Sequence, residues 1–263
     1  MGWVDVGVNI TEKPLAFDDV VQRSFEAQVS KLILTGTNVL KSSKAIEWCA
    51  KYPQNLYCTA GVHPHYASDV SADVMQQLQH LATHECVKAI GECGLDFNRN
   101  FSTKADQLRI FEQQLELAVQ SKKPVFLHER DAFDEQIRLL QHYRPQLVGG
   151  VAHCFTGNTA QMQAYLDLDL YIGITGWVCD TKRGLDLQAA VKTLPLDRLL
   201  LETDSPYLRP KGLPNNRKID GGSNEPAYLP FIAGQVAQLM GVEIEAIKSQ
   251  SIINSHTLFS MAL

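Results

Sequence analysis

The stretch Val87-Lys88-Ala89-Ile90-Gly91-Glu92-Cys93-Gly94-Leu95-Asp96-Phe97 begins as a short apolar strand and ends in a carboxylate set between two glycines. An acidic group at the close of a buried strand is costly unless something pairs with it. Glycines on both sides let the backbone turn sharply or come close to a ligand. Taken alone, the stretch reads equally well as a strand end whose Glu92 meets an arginine at the surface. Three other apolar strands decide between the readings. Pro124-Val125-Phe126-Leu127 runs into His128, Gly149-Gly150-Val151-Ala152 into His153, and Arg198-Leu199-Leu200-Leu201 into Glu202-Thr203-Asp204. One histidine at a strand end is ordinarily a satisfied core residue. Several metal-binding groups placed alike, each at a strand's C-terminal end, follow the pattern of a parallel α/β barrel, which keeps its chemistry at that end.

Outward from Glu92, short apolar runs and helical periodicity alternate. Strands are expected over 3–10, 31–36 and 56–62, the third stopping at His63-Pro64-His65. Helices are expected over 17–29, with Val20, Val21, Phe25 and Val29 on one face, and over 42–52 and 71–84. Thr103 can cap a helix running to Ser121 with Leu108, Phe111, Leu115 and Val119 on its apolar stripe. The fifth strand ends at His128 and the sixth at His153, separated by a helix over 132–143. Asn158 opens a helix over 160–166, a seventh strand covers 170–176, and a helix over 185–194 precedes the eighth strand, ending at Asp204. Helices over 227–240 and 244–258 close the chain, after a loop at 210–223 rich in Pro, Gly, Asn and basic residues. Eight strands separated by helices point to a (β/α)8 TIM-type barrel occupying 1–263 as one domain. An open doubly wound sheet is the competing arrangement, but no Gly-x-Gly-x-x-Gly follows the first strand.

With 263 residues, 45% of them hydrophobic, the chain can bury one large core of this kind. A net charge of −5 and a pI near 5.9 argue against a broad basic surface for non-specific duplex binding. They leave room for a nucleic acid held locally by metal ions and a few arginines. Cys49, Cys58, Cys86, Cys93, Cys154 and Cys179 show no Cys-x-x-Cys pairing, as expected for reduced thiols in a cytoplasmic protein. Cys93 and Cys154 each follow a candidate ligand, so strand alternation should turn both away from the site as packing residues. No basic segment followed by an apolar run opens the chain and no stretch is long enough to span a bilayer, so no membrane association is expected.

In such a barrel Glu92, His128, His153 and Asp204 converge at one mouth. Mixed carboxylate and imidazole ligands suit Mg²⁺, Mn²⁺ or Zn²⁺. A carboxylate placed among them can bridge two cations about 3.5–4 Å apart, which stabilise the attacking and leaving oxygens of a phosphoryl transfer.

At these residues the sequence resembles the TatD family of metal-dependent nucleases, within the amidohydrolase-like barrels. The matching motifs are Gly91-Glu92-Cys93-Gly94-Leu95-Asp96, Leu127-His128-Glu129-Arg130, His153-Cys154-Phe155-Thr156-Gly157, Glu202-Thr203-Asp204-Ser205-Pro206-Tyr207-Leu208 and Asn224-Glu225-Pro226. They fall in family order over nearly the whole chain, and the run 172–180 is similar to the branch of TatD itself. The resemblance implies that Glu92, His128 and His153 hold a metal, Mg²⁺ first among the candidates, with Asp204 as a further ligand or water-orienting base. It implies a 3′ to 5′ exonuclease of single-stranded DNA or RNA, acting as a monomer, with DNA repair as a setting. Two departures stand out. Relatives carry His-x-His on the first strand where this chain has Gly7-Val8-Asn9, so one metal position should be firm and the second weakened, with a carbonyl oxygen of Asn9 as the remaining donor. Ser223 stands where an arginine often precedes Asn-x-Pro, and Arg217 or Lys218 would replace its contact.

Other residues at the mouth carry two readings each. His63 either caps the third strand or joins the catalytic groups, and His65 either caps or touches substrate. Arg130 can clamp a phosphate bidentately or pair with Glu129 or Asp131. Glu202 shares a face with Asp204 and can orient a histidine, while Asp96 can cap a loop. Trp177, Phe97 and Tyr207 can stack on unpaired bases or pack under loops. A metal-dependent deacylase of an ester or amide, such as aminoacyl-tRNA, is the rival enzyme. A scaffold with a dead barrel is the rival of another class, opposed by the joint presence of Glu92, His128, His153 and Asp204.

Overall fold

The computed structural model describes residues 2–9, 17–214 and 222–261. Its strands are β1 (Trp3–Val8), β2 (Val29–Leu34), β3 (Leu56–Ala60), β4 (Val87–Asp96), β5 (Val125–Arg130), β6 (Gly150–Ala152), β7 (Tyr171–Ile174) and β8 (Leu199–Leu201). They form one eight-stranded parallel sheet in chain order. Seven helices lie in the crossovers: α1 (Phe17–Glu26), α2 (Val39–Lys51), α3 (Val74–Ala82), α4 (Lys104–Ser121), α5 (Phe133–Tyr143), α6 (Thr159–Asp167) and α7 (Leu185–Val191). Two more, α8 (Leu229–Met240) and α9 (Ile244–Phe259), follow β8. This is the expected (β/α)8 barrel.

Alternation along the strands divides the apolar residues into two layers. Val4, Val6, Ile33, Ala89, Phe126, Val151 and Leu200 form one buried cluster, closed by Ile252, Leu258, Phe259 and Met261 from the C-terminal segment. Leu32, Leu34, Leu56, Cys58 and Ile90 belong instead to the larger cluster shared with the helices. The ring closes between β8 and β1 largely through a side chain. Buried Asp5 accepts from the Thr203 amide at 2.9 Å and from its hydroxyl at 2.6 Å. Backbone bonds from Asp204 N to Gly7 O and from Asn9 N to Ser205 O, each 2.8 Å, complete the seam. Burial pushes the Asp5 carboxyl up to about 8, against the opposing hydrogen bonds from Thr203 and Gly7.

The distal half of β4 is supported from outside the sheet. Gly91 and Gly94 both have φ of +139°, and an added Cβ on either would run into a β5 carbonyl, that of Phe126 or His128. The β4–β5 register shifts between Ile90 and Cys93. Helical glutamines take up amides here: Gln136 of α5 accepts from Leu95 N at 3.1 Å, and Gln107 of α4 accepts from Asp96 N at 2.8 Å and donates to Asp96 O at 3.0 Å.

Several boundaries differ from expectation for local reasons. The first helix stops at Glu26, and Val29 opens β2 instead of lying on the helix face. Gln28 turns left-handed (φ 62°) and its carbonyl accepts from Trp3 N at 2.7 Å, drawing the chain into the sheet. The second helix starts three residues before Ser42, because Asn38 caps it by accepting from Lys41 N at 2.8 Å. The third is confined to Val74–Ala82. β6 and β8 stop at Ala152 and Leu201, so His153 and Asp204 stand just beyond their strands. Thr103 and Asn158 cap α4 and α6 as expected.

Candidate metal centre

The C-terminal strand ends bring Glu92, His128, His153 and Asp204 together, with His63, His65, Asp96 and Glu202 around them. Glu92 is the hub. Its Oε1 lies 2.9 Å from His128 Nδ1, 3.4 Å from His63 Nε2 and 3.9 Å from His153 Nε2. The potential ligand atoms fall into two groups, His63–Glu92–His128 and His153–Cys154–Asp204, each within 4.8 Å. His63 does both things expected of it: its Nδ1 accepts from His65 N and caps the turn after the third strand, while its Nε2 faces Glu92.

Electrostatics follow from burial and pairing. Burial opposes charge on Glu92, but His63, His128 and His153 outweigh it and hold the carboxyl well below the usual carboxylate range. Burial likewise opposes protonation of His128, yet the neighbouring carboxylates of Asp96 and Glu92 raise it to about 9. His63 is lowered to about 4, mainly by burial, with Glu92 opposing. Asp204 is raised to about 7 by burial, with His153 opposing and Glu92 reinforcing.

Second-row contacts fix the imidazoles. Glu202, fully buried, meets His153 Nδ1 through Oε2 at 2.5 Å and receives the Cys154 amide on Oε1. This pairing accounts for the glycine on the first strand. A Cβ at Gly7 would overlap Glu202 Oε2 and come within 3.2 Å of His153 Nδ1, and one at Gly173 would overlap Glu202 Oε1. The His153 ring rests on Phe126, with centroids 4.5 Å apart. Asp96 both caps its loop, accepting from Asn98 N and Arg99 N at 3.0 and 2.8 Å, and meets His65 Nε2 at 2.7 Å. Asn9 donates its amide nitrogen to Asp204 Oδ1 at 2.7 Å.

The donor set fits a divalent cation. His128 Nε2 is buried without a hydrogen-bond partner. His153 Nε2 stands 3.7 Å from Asp204 Oδ1 and 3.9 Å from Glu92 Oε1, too far for hydrogen bonds. Ligand atoms about 2.0–2.2 Å from a shared cation stand roughly 3–3.5 Å apart, so small adjustments suffice.

Cys154 corrects one expectation. Cys93 is turned into the barrel–helix core as predicted, but Cys154 keeps its sulfur within 4.8 Å of the His153 and Asp204 ligand atoms. Strand alternation does not apply to it, because β6 has ended and Cys154 takes a left-handed φ of 46°.

Arg130 is exposed, and among the described residues no ion pair joins it to Glu129 or Asp131. Glu129 instead accepts from Ala132 N, and Asp131 from Asn98. Phe97 lies under Lys104 of α4 at 4.3 Å and Trp177 under Arg183 at 4.4 Å, while Tyr207 is 57% exposed. Phe101, 62% exposed, meets the His65 ring at 4.8 Å with Arg99 over it. The sequence reading passed it over, although Arg99-Asn100-Phe101 follows Asp96 so closely. It also missed Asp5. Asn224 and Glu225 hold the architecture: Asn224 donates to Thr203 O and Tyr207 O, each at 2.7 Å, and Glu225 forms a two-pronged ion pair with Arg23 of α1. Arg217 and Lys218 lie outside the described residues.

The family model described as TatD related DNase matches residues 4–260. A relative from Pectobacterium parmentieri named 3′-5′ ssDNA/RNA exonuclease TatD is 46% identical over 263 residues, spanning 98% of this chain and 99% of its own. A TatD homologue from Escherichia coli superposes with a TM-score of 0.88 at 27% identity, covering 99% of this chain and 98% of that one. An amidohydrolase from Saccharomyces cerevisiae shares the fold, with a TM-score of 0.82 at 22% identity over 98% of this chain and 100% of its own. With its motifs in order on the barrel mouth and a match running almost end to end, the chain belongs to the TatD-related DNase family.

Proposed function

We propose that the protein is a metal-dependent exonuclease that removes nucleotides 3′ to 5′ from single-stranded DNA and RNA. The observation that carries this reading is the convergence of three imidazoles on Glu92, in a chain 46% identical to a relative named for that activity. Glu92, His128, His153 and Asp204 would hold the metal, with Mg²⁺ the preferred ion and Mn²⁺ or Zn²⁺ able to replace it. When bound there, a divalent cation supplies Lewis-acid polarisation of the phosphodiester and makes water a stronger nucleophile at neutral pH. Gly7 has no side-chain donor and Asn9, whose amide nitrogen holds Asp204, offers one carbonyl oxygen in place of two imidazoles, so one position is firm and the second is filled weakly.

The chain's own residues do the rest. Asp204, held by the Asn9 amide at 2.7 Å and 3.7 Å from His153 Nε2, stands where a carboxylate can orient the attacking water and take its proton. Glu202 keeps His153 in one tautomer and orientation. His63 steadies Glu92, and His65 sits at the substrate side beside Phe101. Arg130 meets the phosphate oxygens, where a guanidinium opposes charge gathered in the transition state. Exposed Phe101 and Tyr207 offer faces for unpaired bases. We take the protein to act as a monomer and a single barrel domain. Among the described residues no helix is long and apolar enough to cross a membrane, and we take the cytoplasm as its compartment.

The test is digestion of end-labelled single-stranded and blunt duplex DNA and RNA, with Mg²⁺ titrated into chelator-treated protein. Single strands should shorten from the 3′ end, duplex more slowly, and closed circular DNA should survive. Hydrolysis that persists in chelator, or efficient nicking of closed circles, would overturn the reading. So would rapid deacylation of aminoacyl-tRNA by protein that leaves the oligonucleotide intact.

A further inference from the structure

Away from the barrel mouth, a second cluster of ligating side chains lies between the sheet and its helical shell. Cys49 on α2, Cys58 on β3 and Cys86, immediately before β4, place their sulfurs within 4.8 Å of one another. Cys58 follows Cys49 by 9 positions and Cys86 follows Cys58 by 28, with no short motif linking them, so the fold brings the three together. The Cys58 amide donates to the Cys86 carbonyl at 2.9 Å, which ties two of the three positions to one backbone register. Cys49 and Cys58 are buried, whereas Cys86 is half-buried and gives the cluster an opening to solvent.

We propose that these three cysteines form a thiolate site for a single soft cation, with Cu⁺ as its ligand. Metal–sulfur bonds of about 2.3 Å in a trigonal plane place the sulfurs roughly 4.0 Å apart, so three sulfurs already within 4.8 Å need shifts of well under an ångström or so. Soft thiolates select Cu⁺ and Zn²⁺ over the hard cations suited to the barrel mouth. No fourth His, Cys, Asp or Glu among the described residues joins the group. A structural zinc site uses four protein ligands, whereas three sulfurs satisfy Cu⁺.

Charge at the cluster agrees with this chemistry. Lys123 holds its ammonium against the carbonyl of Val87, the residue after Cys86, at 2.6 Å. That positive charge acts on Cys86 and Cys58 and lowers the cost of burying thiolates. The thiolate is the form that binds metal, and the Lys123 ammonium is the positive charge placed to offset it.

The experiment uses the full chain, reduced and chelator-stripped, titrated without oxygen with Cu⁺ against a coloured Cu⁺ chelator. A parallel titration uses Zn²⁺. Wild type should withdraw one equivalent of Cu⁺ and show ultraviolet sulfur-to-copper absorption. Cys86→Ser should lose that equivalent, weakening retention by more than the roughly 10–100-fold that follows loss of a mere orienting neighbour, while its nuclease activity stays unchanged. Cys86→Ala and circular dichroism guard against misfolding. Glu92→Ala and Cys154→Ser, which alter the barrel mouth, should retain the equivalent. Failure of wild type to withdraw copper would overturn the proposal, as would undiminished uptake by both folded Cys86 variants or loss of the equivalent in Cys154→Ser. Tighter Cys86-dependent binding of Zn²⁺ than of Cu⁺ would overturn the choice of cation.

Discussion

Replacing Glu202 by glutamine keeps the shape of the side chain and removes its charge. Both carboxylate oxygens accept in the structure: Oε2 faces His153 Nδ1 at 2.5 Å, and Oε1 receives the Cys154 amide. Glutamine has one accepting oxygen for those two donors. If it serves Cys154, its NH₂ confronts His153, which must carry its proton on Nε2, the nitrogen facing Asp204 and Glu92. If it serves His153, the Cys154 amide loses its acceptor. Either way a charge-assisted hydrogen bond worth about 1.5–3 kcal/mol is given up. At about 1.4 kcal/mol per factor of ten, metal affinity should fall roughly 10–100-fold. Calorimetric titration of Mn²⁺ into chelator-stripped protein measures this, with a melting curve to check the fold. Gly7→Ala presses the same carboxylate from the opposite side, since the added Cβ would overlap Glu202, and should give a similar loss. Wild-type affinity in both variants, with normal melting, would refute the role of Glu202 in orienting His153.

Three further outcomes are expected. Glu92→Ala should abolish cleavage without unfolding the barrel, because the core clusters do not depend on it; a folded variant with full activity on a labelled oligonucleotide would show that the metal centre has been misplaced. Arg130→Ala should slow single-turnover cleavage by roughly 100-fold, the scale of one lost transition-state donor, with Arg130→Lys recovering only part for want of the planar fork; an unchanged rate in Arg130→Ala would remove Arg130 from the phosphate. Asp5, raised to about 8 chiefly by burial, keeps in the folded state a proton that the unfolded chain has lost above its ordinary value near 3.8. Stability should therefore fall as pH rises through that window, by up to about 1.36 kcal/mol per unit, and chelator-treated Asp5→Asn should lose this slope; parallel stability–pH profiles for wild type and Asp5→Asn would refute it.

The barrel was legible because short apolar runs ending in His128, His153 and Glu202-Thr203-Asp204 repeat one local rule. What escaped the sequence depends on non-local contact. Asp5 looks like an ordinary strand residue until Thr203, 198 positions away, is seen to donate to it. Gly7 read as a lost ligand, whereas in the fold it is also the space that Glu202 and His153 occupy. Cys154 was misread because alternation was carried past the end of β6, where a left-handed residue breaks it. Helix ends shifted where a cap such as Asn38 or a turn such as Gln28 outweighed apolar periodicity.

A chain of repeated strand–helix units suggests that units can be exchanged between relatives like cassettes. The glutamine supports of β4 argue against that here. Gln107 and Gln136 sit on α4 and α5, yet they bond the amides of Asp96 and Leu95. A graft that imported β4 alone would bring in Glu92 and Asp96 without the two side chains that hold their backbone in place. The smallest transplantable piece bearing the metal centre's hub is therefore 87–143, two helices and two strands inherited together, and sequence drift in those helices should be restrained at positions remote from any substrate.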